Sequence, residues 1–161
     1  MAQSLYPAID LGPLAVDAVN SVLGTELLPG RVRLSEQAHR HIAEDHPEDY
    51  VICRNALAAA IARPSFIGQA PRRTGNFEML RRINHPDGKL VLVAVGLDVD
   101  SVGNYRVRSC YLIGAEQVDE RLRNGRLRPL PPNRPKARPT RRAFNHPSRM
   151  QSRISWLFPK P

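Results

Sequence analysis

Three of the chain's five histidines, His39, His41 and His46, fall within eight residues of the stretch VRLSEQAHRHIAEDHP, from Val32 to Pro47. Histidine donates or accepts a proton near neutral pH, and arginine holds phosphate through its planar fork of donors. Arginine pairs at Arg72-Arg73 and Arg81-Arg82, and hydroxyl groups at Ser109 and Tyr111, complete the inventory. Walker loops, GxGxxG, HExxH, GxSxG and paired CxxC patterns are all absent from the sequence, so nothing in it argues for a nucleotide cofactor or a bound metal. What these residue types suit is metal-free RNA cleavage. A base takes the 2′-OH proton, an acid protonates the leaving 5′-oxygen, and cations meet the charge that develops on phosphate.

The elements that position these groups follow from local signals. Ser35 suits a helix N-cap, Ala38 and Ile42 share a face, and Pro47 disfavours helical geometry at His46, so the first helix stops near Asp45. Pro47 then opens a second helix to Ala62, with Glu48 and Asp49 at its N-terminal dipole. His46 is thereby fixed at a corner between two helices. It is the foremost candidate for acid or base, against the plainer reading of a capping histidine. His41 ranks below it as a hydrogen-bonding helix residue, and His39 reads as solvent-exposed. Ser65 to Ala70, Asn76 to Ile83, Leu90 to Leu97 and Tyr105 to Ile113 are strand-like, and the almost wholly apolar third is a strand covered on both faces. Strict alternation puts Tyr105, Val107, Ser109, Tyr111 and Ile113 on one face of the last strand, and Arg106, Arg108, Cys110 and Leu112 on the other. Arg81 and Arg82 point to opposite faces, so at most one enters a cleft, as a phosphate clamp; the plainer reading leaves both solvated near an edge. Ser109 is a substrate hydrogen-bond candidate or a buried, satisfied serine, and Tyr111 is core or a stacking surface for a base. His85 is a turn residue.

Before these strands, Pro13 to Leu23 has helical spacing and Gly24 stops it; after them, Ala115 to Asn124 reads as a short surface helix. The expected fold is α+β: two N-terminal helices packed on one face of an antiparallel sheet of about four strands, with a basic C-terminal extension. Residues 1–30 form an N-terminal arm, 31–125 the domain and 126–161 the tail. Cys53 and Cys110 lie in apolar contexts and read as buried thiols, not as ligands or a disulfide.

The net charge of +9 divides unevenly. The first 125 residues carry 14 basic and 15 acidic side chains, whereas the last 36 carry ten basic residues, no acid and eight of the 15 prolines. Such a block points to a polyanion, most often nucleic acid or an anionic membrane. Its apolar end, Ile154-Ser155-Trp156-Leu157-Phe158, is a docking candidate. The N-terminus has no basic start with an apolar run, and no stretch reaches the ~20 apolar residues of a membrane span. The expectation is a cytoplasmic chain, without a signal peptide and without a membrane partner.

The opening VRLSEQAHRHIAEDHP, followed by an apolar helix ending IARPSFI, resembles the phage-associated nucleases of the barnase, EndoU, colicin and RelE (BECR-type) group. His41-Ile42, His46-Pro47, Pro64 and Ile67 match that group's opening, and Arg81-Arg82, LVLVAVG and VRSCY resemble its sheet, with Ser109 as the matching hydroxyl. The likeness covers about residues 30–127, and Asp45 departs from it, standing where the group has a basic residue. The resemblance implies a toxin-type endoribonuclease acting on tRNA or other cellular RNA, or delivered into a target cell's cytoplasm to do so. A cognate immunity or antitoxin protein is implied as partner. Catalysis would fall to His46, His41, Ser109 and one of Arg81 and Arg82, with Tyr111, Arg72 and Arg73 binding substrate. The competing reading is a non-catalytic nucleic-acid-binding accessory protein, its affinity supplied by the tail.

Overall fold

A computed structural model describes residues 2–70 and 74–131. The elements run β1 (Ile9–Pro13), α1 (Val16–Leu23), β2 (Arg31–Leu34), α2 (Glu36–Asp45), α3 (Tyr50–Ala62), β3 (Phe66–Gln69), β4 (Asn76–Arg82), β5 (Leu90–Val99), β6 (Tyr105–Ile113), α4 (Ala115–Arg123) and β7 (Leu127–Pro129). The seven strands form one sheet in the order β1-β2-β6-β5-β4-β3-β7. The fold is α+β, but the sheet is larger than the sequence implies and mixed, because β2 pairs with β6 in parallel. Of the three extra strands, Arg31–Leu34 reads from its residues as a short strand or a lead-in to the Ser35 cap and is a strand, whereas β1 and β7, of five and three residues, are too short for a periodic signal. Ile9–Pro13 pairs with Arg31–Leu34, and Leu127–Pro129 pairs with β3. Residues on both sides of the expected 31–125 boundaries thus enter the sheet.

Ser35 caps α2 as its type predicts, its Oγ accepting from the Ala38 N–H at 3.1 Å. The helix ends at Asp45, and His46 leaves helical geometry with φ −132° ahead of Pro47. Pro47 to Asp49 forms a turn and does not itself open α3, whose first residue is Tyr50. Of the Ala58-Ala59-Ala60 run only Ala60 is buried, and with Cys53, Leu57 and Ile61 it forms the face of α3 that meets the sheet.

The two sheet faces bury separate clusters. On one face α1, α2 and α3 contribute Val19, Ile42, Cys53, Leu57 and Ile61 against Phe77, Met79, Val91, Val93, Val95, Val107 and Cys110. Cys53 and Cys110 are free thiols. Their mutual hydrogen bond, with burial, holds Cys110 well above the ordinary thiol range. On the other face α4 lays Val118 over Phe66, Leu80, Leu92, Ile113 and Leu127. Helices therefore flank both faces, where one was expected. β5 is buried from Leu90 to Gly96, as a strand covered on both sides must be.

His39 corrects another expectation. It is 1% exposed, and its ring nitrogens lie 2.8 Å from the Pro7 carbonyl and 2.7 Å from the Tyr50 hydroxyl. Tyr6 packs edge-on at 5.5 Å between ring centroids. These partners come from the N-terminal segment and from α3, which helical phase alone cannot foresee. The ring joins that segment to two helices.

Candidate functional site

The α4 face of the sheet is only partly covered. Beyond the apolar cluster lies an open cavity of about 650 Å³. β4 contributes Asn76 and Glu78, β5 Ala94, and β6 Arg108, Ser109 and Tyr111. His41 and Asp45 of α2 stand on one side, with Gln117, Glu120 and Arg121 of α4, then Asn124 and Arg126, on the other.

An irregularity in β6 makes this lining possible. Ser109 pairs with Ala94, but Val107 pairs with Val95, so Arg108 is an extra residue on its strand. A bulge of this kind reverses the alternation beyond it. Tyr105 and Val107, then Cys110 and Leu112, face the α1–α3 side, whereas Ser109, Tyr111 and Ile113 face the other. The single face expected for Tyr105 through Ile113 is thus split. Arg108 and Ser109, neighbours in sequence, line the same cavity. Gly96 gives Arg108 its place: a Cβ there would stand 3.0 Å from Arg108 Nε.

Glu78 is the chemical centre. Its side chain is 5% exposed and its Oε2 meets Arg121 Nη1 at 2.5 Å, with Arg121 itself 20% exposed. Burial raises the Glu78 carboxyl above the usual range, while the Arg121 charge and hydrogen bond oppose the shift. Tyr111 lies beside the pair. Burial and then the Glu78 charge push its hydroxyl up, and the Arg121 charge and hydrogen bond pull the other way. A buried carboxylate needs such partners, since the cost of removing a charge from water is several kcal/mol or more. Among the described residues, neither Arg108 nor Arg126 is engaged in an ion pair.

The residues singled out from sequence separate into three groups. His41, Ser109 and Tyr111 line the cavity, and His46 joins them through its ring, stacked on Tyr111 at 5.3 Å and 30°. His41 Nε2 lies 3.0 Å from Asp45 Oδ2, one helical turn on. Thus Asp45, the departure from the basic residue of the resembling group, stands beside a histidine, with both side chains at least half exposed. Arg81 and Arg82 are elsewhere. Arg81 donates to the Arg63 carbonyl at 2.6 Å, at the end of α3. Arg82 lies over the Phe66 ring at 4.6 Å. It shares the Glu78 face but sits four residues farther along β4, ~13 Å away at the strand rise. Arg72, Arg73 and the apolar end Ile154 to Phe158 lie outside the described residues.

Glu78, Arg121, Arg108 and Arg126 were missed. Glu78 did leave a trace, as an acid alternating with Phe77 and Met79 in a strand beside the apolar LVLVAVG. Only the β4–β5 register, with Glu78 opposite Ala94, sets it in the cavity wall beside a small residue. Among the described residues no helix is long and apolar enough to cross a membrane.

Family models, curated proteins and solved structures offer no match to this chain.

Proposed function

We propose that the chain is a metal-independent endoribonuclease of toxin type that cleaves tRNA or other cellular RNA through attack of the ribose 2′-OH. One observation carries the reading: a buried carboxylate, three arginines and a histidine beside a second carboxylate line one open cavity. Glu78, made more basic by burial, takes the 2′-OH proton. The freed 2′-oxygen forms its bond to phosphorus as the bond to the 5′-oxygen breaks, and His41 protonates that departing oxygen. Arg108, Arg121 and Arg126 meet the charge on the phosphoryl oxygens, with Ser109 as a hydrogen-bond donor. The product ends are a 2′,3′-cyclic phosphate and a 5′-hydroxyl. His46 ranked first in sequence, but its contact with Tyr111 suits it to steady a base-stacking ring. The reading keeps the reaction, His41 and Ser109 that the resemblance to BECR-type nucleases implies, but puts Glu78 in the acid–base place of His46 and Arg108, Arg121 and Arg126 in the phosphate place of Arg81 or Arg82.

The test is total tRNA incubated with the purified chain in EDTA, with the product ends analysed. Discrete fragments with cyclic phosphate ends are expected. Glu78→Gln and His41→Ala should each lower the rate by about 10²–10⁴-fold, the usual worth of a general acid or base. Full activity in Glu78→Gln would remove the base assignment. Intact RNA retarded on a native gel would favour the binding protein that the ten basic residues after Gly125 also fit.

A further inference from the structure

We infer that Glu78 is an internal stand-in for the substrate's phosphate: it holds Arg121 until an oxyanion enters the cavity, takes the guanidinium and leaves the carboxylate free. The inference deepens the ribonuclease reading and rests on it for the identity of the oxyanion. Three observations carry it. Glu78 and Arg121 pair inside the cavity wall and not behind it, so an entering anion reaches the same guanidinium. Arg121 meets Glu78 through one nitrogen, Nη1 on Oε2, which leaves other donors of its fork for an oxyanion, and guanidinium binds carboxylate and phosphate alike. Arg121 also belongs to α4, a nine-residue helix fixed to the sheet face chiefly by Val118 and Leu122. Its side chain moves without disturbing the larger core on the opposite face.

Exchange of partners has a chemical consequence. Glu78 meets Arg121 of α4 directly and shares the cavity lining with Glu120 of α4, Arg126 just beyond it, Arg108 and Tyr111 of β6, and His41 and Asp45 of α2; Ala70 beyond β3 and Ala94 of β5 bring no charge. Once Arg121 turns to the anion, burial acts on Glu78 with less opposition and its affinity for a proton rises. The base thus strengthens when the 2′-OH arrives. By linkage, protonation of Glu78 must in turn favour anion binding.

Inorganic sulfate, a dianion throughout the relevant pH range, is the probe, titrated calorimetrically into the full chain and into Glu78→Gln. At pH 7 the variant should bind sulfate on the order of tenfold more tightly, a typical coupling between two sites. Wild-type affinity should rise as pH falls through the Glu78 titration, more steeply than in the variant, where His41, Asp45 and Glu120 of the cavity remain to respond. Arg121→Gln should abolish binding in both backgrounds, with amide spectra reporting that each variant is folded. Equal or weaker sulfate binding by Glu78→Gln would overturn the inference, showing that the carboxylate holds Arg121 in place for the anion. Absence of sulfate binding in both would overturn it as well. Cleavage of tRNA is scored separately, so loss of the partner exchange and loss of the nuclease reading are told apart.

Discussion

Three histidines within eight residues meet three environments, and environment decides what each can do. His39 is enclosed, with both ring nitrogens at hydrogen-bond distance from protein oxygens. His41 stands at the cavity rim beside a carboxylate, and His46 stacks on Tyr111. Replacing His39 with leucine removes its bonds to the Pro7 carbonyl and the Tyr50 hydroxyl; Pro7 is exposed and Tyr50 half-buried, so each loss costs about 1 kcal/mol, the net worth of an ordinary hydrogen bond. The expected outcome is a clear drop in melting temperature, with RNA cleavage unchanged per folded molecule at low temperature. His41→Ala should do the reverse: near-native melting, and lost cleavage. A matching pair of melting curves and rates checks both, and equal behaviour of the two variants would refute the division of roles.

At the scale of elements, the bulge in β6 organises the site. Without Arg108 as the extra residue, Ser109 and Tyr111 would turn into the α1–α3 core, where Cys110 and Leu112 now pack. The floor supports the same design, for Ala94 and Gly96 are the small residues that leave the sheet open beneath the arginines. Gly96→Val is compatible with a strand but displaces the Arg108 side chain. Weakened RNA binding close to that of Arg108→Ala is expected by filter binding, with little change in melting temperature. Native affinity in Gly96→Val would show that Arg108 does not need its seat. Gly68 is constrained differently: a Cβ there would collide with the Arg126 carbonyl. That close approach lets the chain after α4 return to the sheet as β7 and carry Arg126 to the cavity.

For the whole molecule, the buried carboxylate sets a stability cost that depends on pH. Glu78 is raised above 4.5 in the folded state. The folded chain therefore holds this proton more firmly than the unfolded chain, and stability falls as pH rises from about 4.5 through the folded value. Measured against Glu78→Gln, wild-type melting temperature should decline as pH is raised across that window and level off above it. A difference independent of pH would show that Arg121 fully offsets the burial. The charge division acts at the same scale. Residues 126–161 carry ten basic groups and no acid, so RNA affinity should fall steeply with salt, and removal of residues 132–161 should flatten that slope.

Much of this protein was legible in its sequence because the signals are local. The Ser35 cap, the stop at Asp45 before His46-Pro47, the buried run from Leu90 and the α4 segment each arise from neighbours within a few residues. The α+β class and the charge division follow from such signals too. The site did not, because its members are joined by register. A slip of one residue reverses every side chain of a strand, and the bulge at Arg108 is such a slip, with no glycine or proline within the strand to announce it. Pairing of β4 with β5 turned an unremarked Glu78 into the buried partner of Arg121, 43 residues away, while sending Arg81 and Arg82 to other neighbours. Sequence alone determined which chemical groups were present and which elements carry them. Long-range pairing, which no local preference specifies, decided which of them meet.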